Sequence, residues 1–287
     1  MNRTKANSTS SQQTNNVNLA SLPQHAHYFS RNTKRLSKLV SLIPMFFLSG
    51  LAHADGLADL KSAMTRLQGQ TPFKAHVEAK TWNKQGEGKD AEEAQGQASV
   101  NIEDGPRGLQ VFYSKEVLAR IETEEKNAKE KSQRNKSPTL SGLREFSASD
   151  LRSMISATGY LNRMMERGNF KSERAENYGG KPARVVSFDI PVERLSERER
   201  KYVKKFEATF DVWIAAAGTP LASRLSNAIS GRAFLVVSFE TKNEEDYVFS
   251  VVGDRLIALR KESKNSGSGA GEKGESKVVI TLEPQST

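Results

Sequence analysis

Phe73-Lys74-Ala75-His76-Val77-Glu78-Ala79-Lys80, residues 73–80, alternates apolar and polar side chains at every step. An extended chain changes face at each residue, so this stretch predicts a strand with one dry and one wet face, the pattern of an antiparallel sheet covered on one side. Downstream, Ala98, Val100 and Ile102 repeat the period. The turn Asp104-Gly105-Pro106-Arg107-Gly108 follows, and Leu109, Val111 and Tyr113 return from it, which predicts a hairpin. Upstream, Leu57, Leu60, Met64 and Leu67 stand three, four and three residues apart, the apolar stripe of an amphipathic helix.

The remainder extends the same plan. Ser114 to Asn135 is a charged helix, with Glu122 to Lys126 and Glu125 to Lys129 at i,i+4 spacing and only Val117, Leu118 and Ile121 as an apolar face. Residues 132–142 read as a linker. A helix opens at Ser147 or Ser149, with Leu151, Met154, Ile155, Leu161, Met164 and Met165 inward and a break at Gly159. Strands are predicted at 170–178, at Val186 to Ile190 after the turn Gly179-Gly180-Lys181-Pro182, and at 206–214, 221–225, 234–239, 247–252 and 256–259. A charged helix is predicted at 192–204, a Gly/Ser-rich loop at 265–274, and a closing strand through Val278, Ile280 and Leu282. Consecutive strands without a βαβ rhythm indicate an α+β fold. A sheet this long is expected to be strongly curved, an incomplete β-barrel with two to four helices on its concave face, because a flat open sheet leaves adhesive edges.

The 287 residues carry a formal charge of +9, yet six of the 43 basic residues and none of the 34 acidic ones lie in 1–54, leaving 37 against 34 in the rest. No concentrated basic face remains for a nucleic-acid partner. Arg31, Lys34, Arg35 and Lys38 precede the apolar run Leu39 to Leu51 and then Ala52-His53-Ala54, the order of a secretory signal peptide cleaved after Ala54. Thirteen apolar residues reach about 20 Å, short of the roughly 30 Å hydrocarbon core, so no membrane span is expected after cleavage. The expected organisation is an N-terminal extension with signal peptide at 1–54, a single domain at 55–283, a tail at 284–287, and a periplasmic location.

The chemistry is narrow. The chain has no cysteine, which removes disulfides, thiolate nucleophiles, Cys-ligated metals and a lipidated N-terminal Cys. After cleavage His76 is the sole histidine, and it shares the wet face with Lys74 and Glu78, so a His-based triad is disfavoured and a surface role expected. Gly269-x-Gly271-x-x-Gly274 matches a dinucleotide fingerprint in letters, but a strand follows where a helix is required, and a hairpin loop is expected. Glu244, Glu245 and Asp246 read as a solvated turn, and Glu193, Glu197 and Glu199 with Arg194, Arg198 and Arg200 as a salt-bridged surface. Trp82 and Trp213 lie in phase with the wet face and are expected beneath a helix. Met64, Met154, Met164 and Met165 are expected to fill the core. No cofactor or metal is expected.

The order of elements resembles the LolA, LolB and outer-membrane lipoprotein-sorting superfamily of periplasmic carriers. The resemblance rests on the helix from Asp59-Leu60-Lys61-Ser62 to Leu67, Phe73-x-Ala75-x-Val77, Gly105-Pro106 before Leu109, Tyr178-x-Gly180-x-Pro182, and Asp211-x-Trp213-Ile214 with Gly218-x-Pro220-Leu221. The charged stretch Glu116 to Lys136 departs from the family pattern. The resemblance implies a non-enzymatic carrier of lipid or lipoprotein acyl chains in an apolar cavity. Val77, Val100, Val111, Met154, Met164, Phe188, Phe210, Val212, Val237 and Phe249 are the expected lining. Two other classes stay open: an envelope interaction or stress-sensing module with a solid core, whose partner surface is Glu116 to Lys136 or the tryptophan-bearing face, and a periplasmic hydrolase of Ser-Lys or paired-carboxylate type.

Overall fold

The computed structural model describes residues 55–128, 137–233 and 237–285. The expected signal peptide, with its cleavage point, and residues 129–136 and 234–236 of the predicted elements lie outside them. The described chain runs α1 (Gly56–Arg66), β1 (Phe73–Gln85), β2 (Glu92–Gly105), β3 (Gly108–Phe112), α2 (Lys115–Ala128), α3 (Pro138–Leu143), α4 (Ala148–Ile155) and α5 (Ala157–Arg167). It continues with β4 (Asn169–Tyr178), β5 (Lys181–Asp189), α6 (Glu197–Arg200), β6 (Val203–Ile214), β7 (Pro220–Ala233), β8 (Val237–Val252), β9 (Arg255–Gly269) and β10 (Glu272–Gln285).

All ten strands form one antiparallel sheet in the order β3-β2-β1-β10-β9-β8-β7-β6-β5-β4. The first strand pairs with the last, so the earliest and latest parts of the domain meet mid-sheet, with β3 and β4 as edges. The α+β expectation holds. The strongly curved incomplete barrel does not: the sheet is open and is neither closed nor strongly curled. Its edges are managed instead by shortness and charge. β3 has five residues, and β4 carries Lys171, Glu173, Arg174 and Glu176.

One face is dry. Phe73, Ala75, Val77 and Ala79 of β1 are buried beside Ala98, Val100 and Ile102 of β2 and Ile280 and Leu282 of β10, and Phe210, Val212 and Ile214 continue the row on β6. Leu60 and Met64 of α1, Leu151, Met154 and Ile155 of α4, and Leu161 and Met164 of α5 pack onto it. Burial of each such side chain contributes about 1.5–3 kcal/mol. The Asp55 side chain caps α1 by accepting from Ala58 N at 3.1 Å, and Ser147 caps α4 by accepting from Asp150 N. The predicted break in the second helical segment falls at Ser156 rather than Gly159.

Four further expectations are corrected. The predicted loop 265–274 is mostly strand: β9 continues to Gly269, and a two-residue turn at Ala270-Gly271, both at positive φ, feeds β10. Two-sided polar strands carry little alternation, and so they read as loop. The predicted strands around 237–252 merge into β8, which places Glu244, Glu245 and Asp246 inside a strand where Lys264, Lys261 and Arg224 pair with them. The helix predicted at 192–204 shrinks to the four residues of α6, opened by a Ser196/Glu199 capping box. The predicted linker contains α3, whose first-turn N-H groups at Thr139 and Leu140 donate to the Glu124 carboxylate of α2 at 2.9 and 3.2 Å.

Candidate functional site

The helices cover only half of the dry face. Strands β7–β10 run on for 14–16 residues, past α4 and α5, and their far halves turn polar. Among the described residues three clefts stand out, one at the helix seam, where apolar and polar side chains share the lining, and two on opposite faces of the sheet.

The seam cleft, about 440 Å³, lies between α1 and α5 beside the β4 edge, with Thr65, Gln68 and Asn162 among its lining side chains. Buried Met64 and Phe188 form its floor. Leu57 and Met165, both half-buried, form its walls, and Phe170, half exposed, stands at the lip with its ring edge-on to Phe188 at 6.2 Å. Lys61 and Glu166 sit at the rim. Two carboxylates fix α1 here: Glu173 accepts from Gly56 N at 2.8 Å and from Arg184 at 3.2 Å, and Asp59 accepts from Arg184 at 2.7 Å.

The largest cleft, about 1180 Å³, is a trough on the dry side of the far half, walled by α3 through Ser137, Ser141 and Arg144. Direct cross-strand pairing aligns Asn83, Ser276, Asn265, Asn243 and Asn227 in one row across β1, β10, β9, β8 and β7. Asn243 donates to Asn227 Oδ1 at 2.8 Å, and Asn265 donates to Ser276 Oγ at 3.3 Å. The next row outward contains Gln85, Gly274, Gly267 and Thr241.

The third cleft, about 580 Å³, crosses the wet face between Trp82 and Glu207 over a floor that includes Ser226 and Ala228. No helix covers either tryptophan, against expectation. The Trp82 indole donates to Glu93 at 3.4 Å. Trp213 donates to Glu176 at 3.0 Å and lies 6.1 Å from the Tyr178 ring. Side chains long enough to pair across strands replace a covering layer on this face. At its centre Glu262 accepts from Lys277 at 2.9 Å, Arg260 at 2.5 Å and Lys264 at 3.4 Å. Burial opposes its ionisation, but those bonds outweigh burial and hold the carboxyl down at about 2.

A polar network separates core from trough. Lys261 Nζ binds Asp150 of α4 at 2.9 Å and Glu245 of β8 at 3.3 Å, Tyr160 of α5 donates to Glu245 at 3.0 Å, and Ser153 Oγ lies 3.5 Å from the Tyr247 hydroxyl. Serine, tyrosine and lysine together are the ingredients of a Ser-Lys hydrolase, but the electrostatics run the wrong way. Burial disfavours the Lys261 charge, yet Tyr247, Glu245 and Asp150 overcome it and hold the ammonium well above its ordinary value. Burial and Glu245 push the Tyr247 phenol up to about 12. A general base needs the opposite shift. The network instead ties α4 and α5 to the sheet.

Of the expected lining residues, Val77, Val100, Met154, Met164, Phe188, Phe210, Val212 and Phe249 pack together in the core. Val111 is half-buried against it, and Val237 lies apart, half-buried, at the polar end. Of these ten, Phe188 alone also lines one of the three clefts. The four core methionines stand as expected, with Met64, Met154 and Met164 buried and Met165 half-buried. His76 sits on the wet face, Nδ1 3.0 Å from Asn101 Oδ1. The seam residues Leu57 and Phe170 and the asparagine row escaped sequence reasoning. The spacing of Asn227, Asn243 and Asn265 becomes meaningful only once the register of four strands is known. Among the described residues no group of three or more His, Asp or Glu side chains is arranged to hold a metal ion, and no helix is long and apolar enough to cross a membrane. Compared with models of known protein families and with curated proteins, the chain finds no match.

Proposed function

We propose that the protein is a non-enzymatic periplasmic binder of lipid or lipoprotein acyl chains, admitted at the seam between α1 and α5. The observation that carries this reading is the cleft at that seam, where the thioether and aromatic side chains of Met64, Met165, Phe170 and Phe188 line an opening to solvent among polar neighbours. Its volume lies within the usual range for small-molecule sites, and methionines adapt to a flexible chain. Each buried CH₂ contributes about 0.8 kcal/mol, so the site discriminates by chain length. Lys61 at the rim offers a cation to an acidic headgroup. A deeper seat requires α1 and α5 to part. Export is supported by the position of α1, which starts at Gly56 on the Asp55 cap, immediately after the expected cleavage point.

The test is titration of the purified chain, begun at Asp55, with palmitate and a shorter eight-carbon acid, read by native mass spectrometry and calorimetry. Saturable binding of palmitate, much weaker for the shorter acid and lost in Phe170→Glu/Met165→Glu, is the expected outcome. Absence of any bound acyl chain would sink the proposal.

A second reading, an envelope interaction module, is favoured by one observation: Phe112, Tyr113 and Leu118 stand exposed together where the β3 edge meets α2. It predicts a partner whose capture depends on Leu118 and is indifferent to Phe170→Glu.

A further inference from the structure

We infer that the trough on the polar half of the sheet binds a neutral linear oligosaccharide, independently of the seam. Two glycines carry the argument. Gly267 and Gly274 sit inside β9 and β10 with ordinary negative φ, so no turn requires them. A Cβ at Gly267 would find its nearest neighbours, Glu240 O and Thr241 Cγ2, at 3.5 Å. At Gly274 it would find Lys84 O at 3.8 Å. Both are ordinary van der Waals distances. Nearby Gly96 and Gly142 are different, because a Cβ there would meet Ser141 at 2.5 Å or Ala98 N at 2.4 Å, and they are needed to seat α3 on β2. A glycine inside a strand weakens it, and where the protein itself does not need the space, a ligand approaching the backbone closely is the remaining use.

The chemistry of the floor selects that ligand. Asn83, Ser276, Asn265 and Asn243 offer carboxamides and hydroxyls, groups that both donate and accept, as sugar hydroxyls do. Within the trough the row crosses β1, β10, β9 and β8, about 14 Å at ~4.8 Å per strand, long enough for two to three sugar rings. The floor is uncharged. At the rim Lys84, Arg144 and Lys273 stand against Glu92, Glu93, Glu272 and Glu275, so an ionic polymer gains little net attraction. The strands beneath are already paired on both sides, leaving no backbone edge for a peptide to extend.

Calorimetry of the Asp55-initiated chain with cellohexaose, maltohexaose and chitohexaose tests this, alongside an uncharged Ser/Gly peptide and heparin. At least one hexasaccharide should bind saturably, more tightly than the peptide or heparin. The double variant Gly267→Thr/Gly274→Thr should bind it at least tenfold more weakly while melting at the same or a higher temperature, since side chains favour strands and find room here. The inference is overturned if no hexasaccharide binds, if the peptide or heparin binds better, if the variant binds like the wild type, or if the variant melts lower. Phe170→Glu/Met165→Glu should leave hexasaccharide binding unchanged, which separates this site from the acyl seam.

Discussion

At the scale of the residue, the most exacting contact is a buried ion pair. Arg255 is 4% exposed, binds Asp104 at 2.9 Å, and lies over the Phe73 ring at 5.8 Å. Removing one partner leaves a buried charge uncompensated, so Asp104→Ala should cost about 3 kcal/mol in urea unfolding, whereas replacing both partners with apolar residues should cost less. Ala270 is the single non-glycine residue at positive φ among the described residues, at 55° in the β9–β10 turn. Ala270→Asn creates an Asn-Gly turn that accepts this geometry and should stabilise by about 1 kcal/mol. Glu262 titrates at about 2 in the folded chain against its ordinary 4.5. Its stabilising contribution is therefore fully present above about pH 4.5 and is lost as pH falls toward 2. Urea midpoints measured at pH 5 and pH 2.5 should differ less in Glu262→Gln than in the wild type.

At the scale of the element, what could be read from sequence depended on how much of each segment's energy is local. The dry-face alternation of β1 and β2 and the stripe of α1 are local and were legible, and the opening of α4 was narrowed to Ser147 or Ser149, of which Ser147 is the cap. Ser147→Ala should destabilise by about 1 kcal/mol and increase amide exchange in the first turn of α4. The far halves of β8, β9 and β10 were not legible. Thr241, Asn243, Asn265 and Gly267 have weak strand signals, and they are extended because each strand is held between two paired neighbours in a cooperative ladder. α3 was hidden for a related reason: its six residues are stabilised by Glu124 from another helix and by Gly142 packing on Ala98, contacts that a linear reading does not contain. The same holds for the expected lining. Burial of Val77, Phe210 and their neighbours followed from the pattern. That α4 and α5 would press onto them, leaving the opening at the α1–α5 seam, depends on three-dimensional fit.

At the scale of the whole molecule, the described domain is a single open sheet divided by polarity along its strands. One half is closed by helices into an apolar core that reaches solvent beside Phe170, and the other is a bare polar platform. The Lys261 network marks the boundary and ties α4 and α5 to the sheet. On the two proposals, hydrophobic and hydroxyl-rich ligands bind at opposite ends of the same sheet. The most direct test is an amide NMR spectrum of the Asp55-initiated chain titrated with nitroxide-labelled stearate. The account predicts saturable broadening confined to Leu57, Met64, Met165, Gly168 and Phe170, with Asn243 and Asn265 unaffected. Broadening centred on the asparagine row, or none at saturating stearate, would contradict it.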